Sequence, residues 1–205
     1  MTGAMLHLRE RRMGWVAFGL PVLTAAAWWA ASWLTTRTFF SGADARVPVV
    51  AFAPLLAAIL VSLTLAGADI DLSRTASRLT ARHRTAHSAI AATALCALLA
   101  LAATDTPQTF GSYGLIRNSL GLTGMVLLAA TILPAALTWA PALIYTFVIF
   151  LAAPSGRGLG AQWWAWVVQP GGLDPSWLIA LTLLATGIAF YTRRGAARTG
   201  HQPRS

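Results

Sequence analysis

Six apolar stretches of about 17–22 residues, each long enough as an α-helix to cross roughly 30 Å of hydrocarbon, decide the solvent of this chain. They run 14–34, 47–66, 86–103, 115–136, 137–153 and 176–192. The pattern predicts an all-α protein, a polytopic transmembrane helix bundle with six spans. These form a single membrane domain over residues 1–192, followed by a basic tail over 193–205. Composition agrees: 57% of residues are hydrophobic and 10% are charged, against about 25% charged in a soluble domain.

The charges orient the bundle. The net charge is +9 and all 15 basic residues are Arg. Eleven of them fall in the N-terminal segment (Arg9, Arg11, Arg12), the second loop (Arg74, Arg78, Arg82, Arg84) and the tail (Arg193, Arg194, Arg198, Arg204). Four fall in the alternate segments: Arg37, Arg46, Arg117 and Arg157. The positive-inside rule then places both termini in the cytoplasm of a multi-pass plasma-membrane protein. Arginines beside apolar spans fit topology signals and contacts to anionic lipid headgroups, so the basic balance does not imply nucleic acid. The first apolar stretch is longer than a cleaved signal sequence needs, and it reads as a retained first span.

The boundary between the fourth and fifth spans is the least defined. Residues 120–154 carry no charge and contain Pro134 and Pro141. Thirty-five helical residues would measure about 52 Å. Two short crossings joined near those prolines are expected, and they also keep the Arg-rich tail inside. A broken or re-entrant helix is the alternative.

Two local patterns are candidates for function. The second loop, residues 67–84, places Arg74, Arg78 and Arg82 four residues apart behind Asp69 and Asp71. On a helix these arginines form one basic stripe that can dock a partner protein; a topology-setting loop on lipid headgroups is the plainer reading. The segment Gln162–Pro170 holds Trp163, Trp164 and Trp166 and is too short to cross. It fits an amphipathic or re-entrant piece at the outer interface, where indole rings belong to the aromatic belt or offer an aromatic surface to a lipid-like or peptide ligand.

Other features are inert by this reading. Cys96 stands alone and reads as a small buried hydrophobe. His83 and His87 have chelating spacing but no third ligand, so no metal or other cofactor is expected. Thr and Ser within the spans serve packing. No nucleotide-binding or hydrolytic motif is present, so the chain is not expected to be an enzyme.

At Arg117–Gly124, Leu137–Tyr145 and Gln162–Pro170, together with the six-span layout, the chain resembles small polytopic membrane proteins of actinobacteria described as permease components of ATP-binding-cassette transporters. That resemblance implies a membrane-spanning subunit of an ATP-driven transporter, energised by a separate cytoplasmic ATP-binding subunit. Asp69, Asp71, Arg74, Arg78 and Arg82 are the docking candidates. The chain would pair with a second copy or another membrane subunit, and an amphiphilic substrate suits spans that offer Trp, Phe and Thr. A non-transporting membrane scaffold, accessory or immunity protein is the alternative.

Overall fold

The structure is a computed structural model that describes residues 13–36, 43–65, 77–104, 107–153, 160–172 and 174–197. The described residues are all-helical. Seven α-helices follow one another: α1 Met13–Thr35, α2 Val47–Leu65, α3 Ser77–Ala100, α4 Ser112–Ala130, α5 Ala140–Ala152, the short α6 Ala161–Trp164, and α7 Asp174–Arg194. Single 3-10 turns precede α2 and α5 and follow α6.

Among the described residues, four segments are long and apolar enough to cross a membrane: Val16–Thr35, Asp44–Leu65, Ala135–Ala152 and Pro175–Arg194. The apolar part of α3, Thr85–Ala100, is shorter. Of the four, the α2 segment is 61% buried and the others are 17–22% buried. Helix α2 is thus an axis of the bundle, whereas the others turn apolar faces outward, as with Phe18 and Val22 on α1 or Ile144, Phe147, Val148 and Leu151 on α5. In a membrane those faces meet acyl chains.

Helix α4 is the second axis. It packs against α7, α2 and α3. Its crossing with α7 is close because both helices present glycine there. A Cβ on Gly187 would lie 2.5 Å from the Gly124 carbonyl oxygen, and one on Gly124 would overlap the Leu183 backbone. Such approach suits helix association in lipid, where dispersion and packing drive contact.

Helix ends follow local chemistry. Helix α4 stops at Ala130, the chain turns through Pro134, and α5 starts at Ala140 with Pro141 in its first turn. The predicted break between the fourth and fifth apolar stretches therefore falls where the prolines place it, although α4 begins at Ser112 and ends well short of the expected Ala136. Gly195, at φ 72°, ends α7 and donates its N–H to the Tyr191 carbonyl. Glycine, lacking a Cβ, adopts that left-handed conformation after the last turn without strain.

Most buried hydroxyls bond back into their own helix: Ser62 to Ile59, Ser119 to Leu115 and Thr146 to Ala142. Thr123 differs, because its buried Oγ1 has no hydrogen-bond partner among the described residues.

Candidate functional site

The site grows from a proline. Pro54 lies inside α2 and has no N–H, so the carbonyl of Val50, four residues earlier, loses its helical partner. Asn118 on α4 supplies the missing donor: its Nδ2 bonds the Val50 oxygen at 2.8 Å. The same Nδ2 donates its second proton to the Val167 carbonyl at 2.7 Å. One side-chain amide thus joins α2, α4 and the Trp-rich loop.

Arg117 completes the cluster. Its Nε donates to Asn118 Oδ1 at 3.0 Å, Nη1 to the Pro170 carbonyl at 2.8 Å, and Nη2 to the Gln169 carbonyl at 2.8 Å. Both side chains are 0% exposed. The three bonds use three of the five guanidinium donors, and all three acceptors are uncharged oxygens. Burying a cation against carbonyls alone costs more than burying a neutral donor.

The loop so held turns back into the bundle. After α6, a 3-10 turn over Trp166–Val168 carries Trp166 inward. Ala165, Trp166, Val167 and Gln169 are buried. The indole of Trp166 occupies the space above Gly121, where any Cβ would overlap its ring. Tyr145 of α5 stacks on it with centroids 5.9 Å apart, and its hydroxyl donates to the Trp164 carbonyl at 2.7 Å. The segment leaves through Gly171 and Gly172, whose N–H groups bond the carbonyls of Thr109 and Gln108 at 2.7 and 2.8 Å. Trp177 Nε1 donates to the Gly171 carbonyl at 2.6 Å. A cleft of about 490 Å³ adjoins this seam, lined by Gln108, Tyr113, Ile116, Gly171, Gly172 and Trp177.

The expected aromatic surface therefore divides. Trp163 and Trp164 are exposed, but Trp166 is buried and stands as a correction: it anchors the loop and offers no outer surface. The physical reason is the pair of acceptors Val167 and Gln169, which pull the chain inward just after Trp164. Arg117 is a second correction. Counted from the sequence as one of the loop arginines, it is a fully buried residue of α4.

The opposite end of the bundle is tied by different groups. Thr64 Oγ1 and His87 Nε2 lie 2.9 Å apart, Tyr191 donates to the Leu65 carbonyl at 3.1 Å, and the Ala197 N–H bonds the Ala130 carbonyl at 2.7 Å. His87 thus sits in a polar contact between α2 and α3, and no cluster of metal-ligating residues exists among the described residues. Cys96 is half-buried beside the Ile116 carbonyl.

Of the docking candidates, Asp69, Asp71 and Arg74 lie outside the described residues. Arg78 and Arg82 fall in the first turns of α3, which begins at Ser77 and runs without interruption to Ala100. Sequence reasoning missed Arg117 and Asn118 as a site. The available signal was an Arg-Asn pair inside the first turn of the fourth apolar stretch, together with a helix-interior proline in a neighbouring span. Comparison of the chain with protein-family models, with curated proteins and with solved structures finds no match.

Proposed function

We propose that this chain is the membrane-spanning subunit of an ATP-driven transporter, energised by a separate cytoplasmic ATPase and handling an amphiphilic substrate. In this reading the chain crosses six times, both termini and residues 67–84 are cytoplasmic, and Trp163 and Trp164 lie at the outer interface. With Arg117 set aside as a buried residue of α4, the remaining arginines divide eleven to three, which supports that orientation.

The observation that carries the proposal is the continuity of α3. Its apolar part is Thr85–Ala100, yet the helix starts at Ser77. The extra eight residues extend the helix by about 12 Å. Arg78 and Arg82 are on that extension. A partner that grips it acts on one rigid element, which packs against α4 and α7 inside the bundle. Force applied at the docking loop then reaches the helices beneath the Trp-rich loop.

Helices α2 and α4 are buried and closely packed, so the substrate path belongs at the junction of this chain with a second membrane chain. A homodimer satisfies this most simply. The scaffold reading keeps one specific support, which is that polar ties close both ends of the bundle.

Affinity purification in mild detergent, with mass spectrometry of bound proteins, tests the proposal. A stoichiometric ATPase is expected. It should be lost when Arg74, Arg78 and Arg82 become Ala, and also when they become Lys if the contacts are forked pairs to carboxylates. A preparation free of ATPase, under conditions that keep other transporters intact, refutes the transporter reading in favour of the scaffold.

A further inference from the structure

Residues 165–170 enter the bundle among α2, α4 and α5 and are held mainly through their own carbonyls. Asn118 takes Val167, and the two arms of Arg117 take Gln169 and Pro170. A neutral amide could donate to two carbonyls without the desolvation cost of a buried cation. The guanidinium is therefore poorly explained as a fastener alone. Its planar fork is matched to carboxylate or phosphate oxygens, which bind it more strongly than carbonyls do.

We propose that residues 161–172 form a displaceable plug, and that the Arg117 fork beneath it is a binding site for the anionic group, carboxylate or phosphate, of an amphiphilic ligand. The proposal deepens the transporter reading and rests on it for the ligand's role. In the closed structure the carbonyls of Gln169 and Pro170 occupy the fork. An anion can take the fork only when those carbonyls leave, so binding and opening are one event. A ligand moves such an equilibrium only by its preference for one state, and here that preference is for the open state. The approach is the adjoining cleft. Ile116 and Gly171, which line it, are the chain neighbours of Arg117 and Pro170. The lining combines the apolar surface of Ile116, Tyr113 and Trp177 with the amide of Gln108, as an amphiphile requires. When the plug leaves, Trp166 uncovers Gly121 and Tyr145, which extends the apolar surface for the chain of the ligand.

The test uses the full chain in phosphatidylcholine nanodiscs, with Cys96→Ala to remove the native thiol. Ala165→Cys reports opening, because position 165 is 0% exposed in the closed form. Trp163→Cys, at an exposed position of the same loop, is the reference. Reaction with a polar maleimide is timed after addition of dodecyl phosphate, dodecanoate or neutral dodecyl maltoside. Trp163→Cys should react rapidly throughout. Ala165→Cys should react slowly alone, on the order of tenfold faster with either anion, and no faster with the neutral amphiphile. Arg117→Gln should abolish the anion effect. Should that variant fail to fold, Arg117→Lys, which keeps the charge and loses the fork, should reduce it. Phosphatidylglycerol placed in the disc separates the sources: acceleration by it assigns the site to a lipid headgroup, and acceleration by the soluble anions alone assigns it to a free amphiphile. Equal acceleration by dodecyl maltoside, no acceleration by any anion, or an undiminished anion effect in folded Arg117 variants overturns the proposal. Nanodiscs expose both faces, so these outcomes do not depend on orientation. The transporter reading is tested separately, by the ATPase co-purification.

Discussion

Replacing Asn118 by Leu removes one side-chain amide and leaves three buried polar groups without partners. Val167 loses a donor at 2.7 Å, Arg117 Nε loses its acceptor at 3.0 Å, and Val50 loses its donor at 2.8 Å. The Val50 carbonyl cannot recover within its helix, because Pro54 has no N–H to offer. Leu has the same number and branching of side-chain heavy atoms as Asn, so the substitution leaves no cavity. An orphaned buried group costs about 1–3 kcal/mol, while side-chain hydrogen bonds measured between membrane helices average about 0.6 kcal/mol. Three such losses amount to about 2–9 kcal/mol, a large share of the roughly 5–15 kcal/mol that holds a folded domain. Reversible unfolding in mixed micelles of increasing SDS fraction, followed by circular dichroism, measures the loss. The same substitution in a Pro54→Ala background isolates the proline's part. In that background the alanine supplies the N–H that Val50 lacks, and the penalty of Asn118→Leu should fall by about 1 kcal/mol. A penalty below about 1 kcal/mol in the native background, or equal penalties in the two, would refute the assignment of Asn118 as the proline's missing donor.

Other substitutions probe separate contacts by the same unfolding assay. Gly187→Ala should destabilise the protein by about 1–3 kcal/mol, since its Cβ must displace the Gly124 backbone; an unchanged midpoint would show that the α4–α7 crossing can widen freely. Gly121→Ala should be similarly harmful, and Trp166→Phe in the same chain should recover part of the loss by shortening the ring that the new methyl strikes. Thr123→Val should be neutral or stabilising by about 1 kcal/mol, because it removes a buried hydroxyl with no hydrogen-bond partner among the described residues; a clear loss would place an acceptor or a water at that hydroxyl. Trp163→Ala and Trp164→Ala, on exposed rings, should change stability by about 0.5 kcal/mol or less, in contrast to about 3–5 kcal/mol for buried Trp166→Ala.

Much of the fold was legible because hydrophobicity and chain stiffness are local properties. Runs such as 47–66 and 176–192 can satisfy their backbone in lipid only as helices, and α2 and α7 lie there within a few residues. The break after α4 was legible from Pro134 and Pro141, because a missing N–H and a fixed φ act on their own segment. The basic run 77–84 reads in the sequence as part of a loop that could form a short helix of its own, and it is instead the first part of α3: helix propensity continued where apolarity stopped.

The candidate site was not legible, because its parts are far apart in sequence and its logic is one of shortage and supply. Pro54 creates an orphan carbonyl, but nothing near it in the chain says that Asn118 answers it, across 68 positions. Arg117 read alone is one more topology charge; only the return of Gln169 and Pro170 to its fork makes it a buried latch. Trp166 differs from Trp163 and Trp164 through Gly121, a residue 45 positions away that leaves room for its ring. Sequence by itself thus determined that the chain is helical and, among the described residues, that four segments are long and apolar enough to cross a membrane, since each segment's own composition sets both. Tertiary structure alone decided which arginine is buried, which tryptophan is an anchor and where the loop is fastened, because those depend on which orphaned group meets which donor once the helices have packed.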